Sequence, residues 1–373
     1  MENCDVLVVG AGPAGCAAAF DLAAGGHSVL LLDRAEFPRH KACAGGLTRK
    51  TLRRLRYSVE PVTRQSVSAI TVERSPDHIT TFASRHPVCV MTVREELDAY
   101  CLRQTLERGA RFARIGPITA IESRPDEVTL TTQTAAFHAR FLIGADGVHS
   151  RVRQLVCGNR PAWFRSGFAL EAQVRPAAGS PADLLFAFDP VSRGYGWIFP
   201  RRDHLNLGLY TVASNEKLDR VRLLSWIRAR FEDAAVDDIT GQYLGFGAEN
   251  APPSETPVLL VGDAGGFADS LTGEGIYGAI ASGQGAAAAI DQSLRTSQPV
   301  QQSFAEHTAP LRQDLRLSAS GARWFYSNRD LGFRALTAPI LRRAIIGAYA
   351  DGAKIAGLAN TVRRFARVFA APA

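Results

Sequence analysis

The sequence lacks an apolar run of the roughly 20 residues that a membrane-spanning helix needs. Its first apolar segment, in MENCDVLVVGAG, is shorter and follows no basic segment, so we interpret it as a buried strand and not as a signal peptide. Hydrophobic residues make up 46% of the chain and charged residues 21%, which is an ordinary composition for a soluble protein. We therefore expect a cytoplasmic protein and leave peripheral contact with a membrane open.

Metal-binding and nucleic-acid-binding patterns are missing as well. The six cysteines are scattered, with no CxxC and no metal-type spacing, so we predict reduced thiols and no metal site. The net charge of +7 comes mainly from residues 310–373, but no nucleic-acid motif accompanies this basic region. Nucleic acid is therefore not an expected partner, whereas an anionic membrane surface or a phosphorylated substrate would suit the charge.

A glycine-rich turn follows the first predicted strand. Gly10, Gly12 and Gly15 have GxGxxG spacing after the apolar DVLVV, and an Ala-rich helix comes next. Asp33 ends the second predicted strand, SVLLLD. Glycines let backbone N–H groups approach a pyrophosphate at the helix N-terminus, and the acid can accept hydrogen bonds from a ribose hydroxyl. This unit predicts a dinucleotide site, and by itself it does not separate FAD from NAD.

Two further segments have the same strand-then-turn character. FLIGADGVHSRVR covers residues 141–153, and GDAGGFADSLTGEGI covers residues 262–276 before an Ala/Gly-rich helix. A second GxGxxG is missing, so we predict no dedicated NAD(P)H domain. The electron donor is left open among NAD(P)H, ferredoxin and a separate reductase.

Alternating apolar and polar residues dominate the region between these two segments. FALEAQV, DLLFAFD, GYGWIFP and HLNLGLYTV each show the period-2 pattern of half-buried strands. We predict that they form an antiparallel sheet in a second lobe, with a ligand cavity between the lobes.

With FPRHKACAGGLT, MTVREELDAYCLR and GYGWIFP added to the three turns, the chain resembles the aromatic-hydroxylase-like class of FAD proteins and, within it, the geranylgeranyl reductase family. The resemblance covers nearly the whole chain. It implies an α/β fold: a Rossmann-type FAD-binding domain of the p-hydroxybenzoate-hydroxylase-like kind, an antiparallel-sheet substrate lobe and a C-terminal helical segment. The expected boundaries are 1–75, 93–156 and 252–297 for the FAD-binding domain, 76–92 and 157–251 for the substrate lobe, and 298–373 for the helical segment.

The resemblance also implies which residues contact FAD. The first turn and Asp33 would hold the ADP half, Arg94 would approach from the interdomain side, Asp146 would position the centre of the cofactor and Asp263 would bond the ribityl chain. Residues 273–276 would run beside the isoalloxazine, with a helix N-terminus near its electron-rich edge. The full expected set is Gly10, Gly12, Pro13, Ala14, Gly15, Asp33, Arg34, Cys43, Ala44, Gly45, Arg94, Asp146, Gly262, Asp263, Gly273, Gly275 and Ile276.

The expected catalytic residues are Cys43, Tyr195 and Trp197. The family usually has CGGG or CGG at the cysteine, whereas this chain has an alanine at position 44. Gly45 and its neighbour Gly46 would allow a close approach to the flavin, and Arg39 or Lys41 would offset cofactor charge. GYGWIFP matches the YxWxFP pattern of the family, so Tyr195, Trp197, Phe199 and Pro200 are the expected substrate-binding residues. Plain packing roles for Cys43 and for the aromatic residues stay open.

The resemblance implies reduction of isolated double bonds in a prenyl or geranylgeranyl chain by hydride from flavin N5. The open alternative is an FAD-dependent monooxygenase that uses a C4a-hydroperoxide to hydroxylate an aromatic substrate or a tryptophan in a partner protein. A flavin halogenase fits less well. It would need a lysine held apart from the flavin, and Lys41, the one nearby candidate, fits that role poorly. The expected partners are a prenylated small molecule or lipid, an electron-transfer protein and, under the alternative, a protein substrate.

Overall fold

The computed structural model describes residues 2–175, 183–252, 254–338, 344 and 347–351. The strands are β1 Glu2–Val9, β2 Val29–Asp33, β3 Gly46–Thr48, β4 Thr63–Val67, β5 Ala69–Ser75, β6 His78–Ala83, β7 Cys89–Thr92, β8 Arg111–Arg114, β9 Ile118–Arg124, β10 Glu127–Thr132, β11 Ala136–Gly144, β12 Arg165–Arg175, β13 Leu184–Ala187, β14 Gly194–Pro200, β15 Leu205–Thr211, β16 Ala235–Phe246 and β17 Val258–Leu260. The helices are α1 Pro13–Ala24, α2 Arg49–Arg54, α3 Arg94–Glu107, α4 Arg151–Cys157, α5 Arg220–Arg228, α6 Ile276–Thr296, α7 Val300–Ser327 and α8 Arg329–Thr337, and a π-helical turn spans Gly347–Asp351.

The first sheet is the expected Rossmann-type sheet. Its order is β8-β2-β1-β11-β10-β9, with β17 also paired to β11. The central strands β1, β2, β8, β11 and β17 run parallel, whereas β9 and β10 are antiparallel. Val6 and Val8 of β1 pack on the α1–α6 side, and Leu7 packs on the opposite face. Burial on both faces explains why this strand is continuously apolar.

The second sheet forms the expected other lobe. Its order is β16-β12-β15-β14-β13-β5-β6, and all neighbours are antiparallel except the parallel pair β13 and β5. One face packs on α5 through Leu223 and Ile227, and the other carries Tyr195, Trp197 and Phe199. The mixed α/β fold class is thereby confirmed. The domain boundaries stay a prediction, and β5, which falls on their FAD side, pairs in the second sheet.

A small sheet, β3-β7-β4, joins the two lobes, and the Ala/Gly-rich α6 packs along α1. This packing requires glycine at position 283, because a Cβ there would lie 2.3 Å from the Ala14 carbonyl oxygen. After α6, the chain continues into α7 and α8 as the expected helical segment. Among the described residues, no helix has the length and apolar character needed to cross a bilayer. The basic region over residues 310–373, which would suit an anionic membrane surface or a phosphorylated substrate, lies partly outside the described residues.

Candidate cofactor and substrate site

The β1–α1 turn forms a tight cradle. Gly10 has a φ of +103°, and a Cβ on it would lie 2.3 Å from the Ala145 carbonyl oxygen. Gly15 packs as closely, with its Cβ position 1.8 Å from the Gly10 carbonyl oxygen. At Gly12, in contrast, the nearest atom to a Cβ would be Arg39 Nη2, at 3.6 Å. Two of the glycines are thus required by the fold itself, whereas Gly12 faces space next to a guanidinium group.

The N-terminus of α1 is suited to an anion. Pro13 is its first residue, and within the described residues no side chain caps the helix there. Arg39 reaches this turn and pairs with Asp98, with 3.1 Å between Nη2 and Oδ2. Arg94 makes a two-pronged contact with the same carboxylate, with both N–O distances at 2.8 Å. Burial opposes the charge on Arg94, but Asp98 raises its pKa, so the guanidinium stays charged.

Asp33 has a second role beyond the expected ribose contact. Its Oδ2 accepts a hydrogen bond of 2.7 Å from the Ala11 N–H, and its Oδ1 accepts one of 2.8 Å from the Ala35 N–H. The carboxylate therefore fastens the end of β2 to the glycine turn. Arg34, expected beside it, is exposed.

The ADG turn is organised by Asp146. Its Oδ1 accepts a hydrogen bond of 2.5 Å from the Ser150 hydroxyl, and its Oδ2 accepts from the N–H groups of Arg151 and Val152 at 2.6 and 3.1 Å. Burial raises the pKa of Asp146, while these hydrogen bonds oppose the shift. In this structure the carboxylate stabilises the start of α4, and contact with the centre of FAD stays a prediction.

Arg153 connects the second and third turns. Its Nη1 donates to the Ala264 carbonyl at 2.9 Å, its Nη2 donates to the Val148 carbonyl at 2.6 Å, and its guanidinium lies 3.5 Å from the centre of the Phe164 ring. On the third turn, a Cβ at Gly262 would meet the Ala14 side chain at 2.9 Å. The three glycine-containing turns therefore meet at one place in the fold.

Several charged side chains lie close to one another around Asp263 of the third turn. Burial raises the pKa of Asp263, whereas Lys41, Arg94 and Arg153 lower it by their positive charge. Burial lowers the pKa of Lys41 to about 8, and Arg94 adds to this shift. The ammonium group of Lys41 donates a hydrogen bond to Gln242 Oε1. A negative charge arriving here would be stabilised by several cations.

Backbone and buried polar groups hold the cysteine loop in place. The Cys43 N–H donates to Glu171 Oε1 at 2.8 Å, and Arg201 Nη2 donates to the Cys43 and Ala44 carbonyls at 3.2 Å each. Burial raises the pKa of Glu171, and the charge of Arg201 opposes the shift. Gly45 has φ +72°, and its Cβ position lies 2.1 Å from the Thr92 carbonyl oxygen. Packing against β7 thus requires a glycine there, independently of any approach to a flavin.

The aromatic residues of β14 line the inner face of the second sheet. The Tyr195 hydroxyl donates to the Thr272 carbonyl, and Trp197 Nε1 donates to Asn206 Oδ1 at 2.7 Å. A Cβ at Gly273 would lie 3.0 Å from the Tyr195 hydroxyl oxygen. Phe199 and Pro200 complete this strand and are buried. The geometry therefore brings Tyr195, on the strand that carries the expected substrate residues, to the turn expected beside the isoalloxazine.

Sequence reasoning missed two acidic residues here. Glu171 lies on β12 at an inward position of FALEAQV, where an acid in an alternating strand was the available signal. Glu274 accepts a hydrogen bond of 2.8 Å from the Thr48 hydroxyl and pairs with Lys50 at 2.6 Å between Oε2 and Nζ. It ties the segment after the cysteine loop to the third turn. The pattern LTGEGI gave no indication of this partner.

The described residues fit an FAD molecule. The α1 N-terminus has no side-chain cap within them, its turn leaves space at Gly12, and Arg39 lies beside that space. The N-terminus of α6, after Gly275, also has no side-chain cap and no acid in its first turn. Two such helix ends suit the two negative regions of the cofactor, namely the pyrophosphate and the reduced ring.

Comparison with known proteins agrees with this geometry. Residues 3–162 match the FAD binding domain family. An uncharacterized protein of Methanosarcina barkeri is 30% identical over 339 residues, covering 89% of this chain and 86% of its own. Digeranylgeranylglycerophospholipid reductase 2 of Methanosphaera stadtmanae is 27% identical and covers 79% of each chain. Menaquinone reductase of Mycobacterium tuberculosis is 28% identical, covering 78% of this chain and 77% of that one.

Solved structures agree on the fold. A geranylgeranyl bacteriochlorophyll reductase-like protein of Thermoplasma acidophilum superposes with a TM-score of 0.81 at 18% identity, covering 97% of this chain and 100% of that one. A flavin-dependent brominase superposes with a TM-score of 0.77, also at 18% identity, covering 98% and 99%. At these identities the likeness concerns the fold alone.

The fold and its glycine-turn site define an FAD-dependent oxidoreductase with the aromatic-hydroxylase-like architecture. Within this class, the chain belongs to the geranylgeranyl reductase family.

Proposed function

We propose that this protein reduces isolated double bonds of a prenyl chain. The observation that carries the proposal is the contact between the aromatic strand and the third turn, where the Tyr195 hydroxyl bonds the Thr272 carbonyl. It brings an apolar, aromatic surface next to the segment that would flank the isoalloxazine. When bound, reduced FAD supplies two electrons to the double bond as a hydride.

The chain's own residues would bind the alkene and exclude water. Tyr195, Trp197 and Phe199 are buried and belong to one cluster with Tyr210 and Phe186. Because an isolated alkene is not polarised, direct hydride attack is unfavourable. Protonation of one carbon would leave positive charge on the other carbon, which then accepts the hydride. Aromatic ring faces stabilise a nearby cation by about 0.5–2 kcal/mol. An aromatic lining would therefore suit this reaction better than an aliphatic one.

Cys43 is a candidate proton donor to the second carbon. Its loop is held by Glu171 and Arg201, so the thiol is carried on a fixed backbone near Arg94. Its Sγ also accepts a 3.4 Å hydrogen bond from the Gly45 N–H. The electron donor is proposed to be NAD(P)H, ferredoxin or a separate reductase, and the substrate is proposed to be a prenylated small molecule or lipid.

The proposal is tested by the mass of the products formed without oxygen and in air. FAD-loaded protein would be photoreduced and supplied with geranylgeranyl diphosphate, first without oxygen and then in air. We expect products heavier by about two mass units for each reduced bond in both cases, because two electrons and two protons are added. Oxygenated products that form only in air would contradict reduction and support the monooxygenase alternative.

A further inference from the structure

Both backbone polar groups of Cys43 are bonded by side chains of the second sheet. Its N–H donates to Glu171 Oε1 on β12, and its carbonyl accepts from Nη2 of Arg201, the residue after β14. Glu171 is 4% exposed and Arg201 is 5% exposed, so solvent does not compete for these contacts. The loop also packs on this sheet farther along, because a Cβ at Gly46 would lie 3.0 Å from Phe199 Cε2. The second sheet therefore determines where the cysteine lies.

Glu171 lies in one row with Trp197 across the adjacent strands β12, β15 and β14. On β15, Gly208 is paired with Glu171 on one side and with Trp197 on the other. A Cβ at Gly208 would lie 2.1 Å from Trp197 Cζ2, so the indole covers this glycine. Residues directly opposite each other on antiparallel strands share one face of the sheet. The carboxylate and the indole are thus on the same face, on either side of a glycine.

Asn206 connects the indole with the surroundings of the carboxylate. Its Oδ1 accepts a hydrogen bond of 2.7 Å from Trp197 Nε1. Its Nδ2 is buried and has no hydrogen-bond partner among the described residues. Burial raises the pKa of Glu171, and the Asn206 side chain is one of the groups that oppose this shift, so the amide lies near the carboxylate. Because the amide oxygen is bonded to the indole, the Nδ2 end faces Glu171.

Stability alone does not explain an acid at position 171. A buried carboxylate must be desolvated, and an apolar side chain of similar volume often gives equal or greater stability. What this acid provides is an acceptor for the Cys43 N–H at a fixed place beside the amide that holds the indole.

We propose that Glu171 is a positioning residue, which sets the Cys43 thiol relative to the Trp197 ring by bonding the cysteine loop and facing the amide that holds the indole. Asn206 is the second member of this arrangement. The inference rests on the proposed function, in which the thiol donates a proton and the ring stabilises positive charge. Glu171 acts through these two groups, so its removal should slow the reaction without weakening the binding of the lipid.

Single-turnover kinetics test this role. The FAD-loaded protein would be photoreduced without oxygen and mixed with a range of geranylgeranyl diphosphate concentrations. In Glu171→Met, an apolar variant of similar length, we expect the limiting rate to fall about tenfold, the factor that corresponds to one hydrogen bond to a charged acceptor. The half-saturating concentration should change less than about threefold. An unchanged limiting rate, or a loss confined to the half-saturating concentration, overturns the proposal.

Two further variants identify the contact that matters. Glu171→Gln keeps an acceptor oxygen for the Cys43 N–H and should recover part of the lost rate. Asn206→Leu removes the acceptor of the indole N–H and should also lower the limiting rate. Because both positions act on one arrangement, the double variant Glu171→Met, Asn206→Leu should lose less than the product of the two single losses. Losses that multiply contradict the shared role.

Alkylation of Cys43 by iodoacetamide reports the position of the loop without turnover. Peptide mass spectrometry of the oxidised, FAD-loaded protein would follow Cys43 together with the exposed Cys157. Loss of the acceptor leaves a buried N–H unpaired, which favours opening of the loop. Cys43 should therefore react at least about threefold faster in Glu171→Met, with Cys157 unchanged.

A matched control separates this effect from general loosening of the sheet. Glu73 is another buried acid of the same sheet, 5% exposed, and it pairs with Arg230 and not with the cysteine loop. Glu73→Met should leave the limiting rate and the alkylation of Cys43 at wild-type levels, whatever it costs in thermal stability. Equal acceleration of Cys43 alkylation in Glu73→Met and Glu171→Met overturns the proposal.

The two readouts distinguish failure of this role from failure of the proposed function. Faster alkylation of Cys43 in Glu171→Met, combined with no reduction of any prenyl lipid by the wild-type protein, retains the positioning role and rejects the proposed reaction. Reduction by the wild-type protein, combined with wild-type rates of reduction and alkylation in Glu171→Met, does the reverse.

Discussion

At the residue level, the buried charge of Lys41 has a clear consequence for the stability of the protein. Its ammonium group is mostly buried between Arg94, Arg39, Cys43 and Asp263, and its pKa falls from 10.5 to about 8 through burial first and Arg94 second. Below pH 8 the folded protein must hold a charge that is better solvated in the unfolded chain. The charged lysine therefore lowers the free energy of unfolding at neutral pH.

We predict that Lys41→Met stabilises the apoprotein at pH 7 by about 1–3 kcal/mol, a size set by the fall of the lysine pKa from 10.5 to about 8. Between pH 8 and 10.5 the unfolded wild-type chain binds more protons than the folded one, so wild-type stability rises and the advantage of the variant shrinks. Urea unfolding at pH 7 and pH 10 measures this. Lys217→Met, at an exposed lysine, is the control, and an advantage that is equal at both pH values would contradict the assignment.

Tyr195 allows the ring to be separated from the hydroxyl. The hydroxyl is committed to the Thr272 carbonyl, so Tyr195→Phe should cost about 1 kcal/mol of stability and change kcat less than about threefold. Tyr195→Leu removes the ring and should lower kcat about tenfold or more if ring faces stabilise developing positive charge. Single-turnover rates and thermal unfolding of both variants provide the comparison. A larger loss of kcat in Tyr195→Phe than in Tyr195→Leu would instead assign the hydroxyl a chemical role.

Prediction from sequence was uneven at this scale. Asp33 was singled out because it ends the strand after the GxGxxG turn, and Asp146 because it follows a buried strand at a glycine-containing turn. Their contacts with FAD stay predictions, and in the structure both carboxylates bond backbone N–H groups nearby. Glu171 could not be paired with Cys43, because the two residues are 128 positions apart and only the folded sheet brings them together.

At the level of secondary-structure elements, substitutions in the β1–α1 turn distinguish what the fold requires from what cofactor binding requires. A Cβ at Gly10 would meet the Ala145 carbonyl at a φ of +103°, whereas one at Gly12 would make an ordinary 3.6 Å contact with Arg39. Gly10→Ala should therefore destabilise the apoprotein by about 2 kcal/mol or more, since it adds a clash to backbone strain. Gly12→Ala should leave the apoprotein stability within about 0.5 kcal/mol of wild type.

The same Gly12→Ala variant should raise the Kd for FAD at least about tenfold, because its methyl group occupies the space through which a pyrophosphate approaches the helix N-terminus. Fluorescence titration of the apoprotein with FAD measures this. Gly116→Ala, whose Cβ position has no atom within 4 Å, is the matched control. Unchanged FAD affinity in Gly12→Ala would place the pyrophosphate elsewhere.

Period-2 patterns predicted the second sheet, but not its complete membership. FALEAQV, GYGWIFP and HLNLGLYTV became β12, β14 and β15 as neighbours in one antiparallel run. In contrast, β5 joins the same sheet through a parallel pair with β13, more than 100 positions later in the chain. Such a pairing depends on the whole topology, so no local pattern could reveal it.

Over the whole molecule, the candidate site depends on how three distant turns and two sheets meet. Arg153 links the second and third turns, and Asp33 fastens the end of β2 to the first turn. Tyr195 joins the second sheet to the third turn. Sequence motifs predicted each turn separately, and long-range contacts explain why they form one site. The proposed chemistry of that site is the reduction of isolated double bonds in a prenyl chain.

The measurement that tests this claim most directly is a single anaerobic turnover. The FAD-loaded protein would be photoreduced, mixed with geranylgeranyl diphosphate without oxygen, and followed by flavin absorbance and product mass. We expect return of the oxidised flavin spectrum together with a product about two mass units heavier for each bond reduced. A flavin that stays reduced until air is admitted would contradict it and assign the protein to oxygen chemistry.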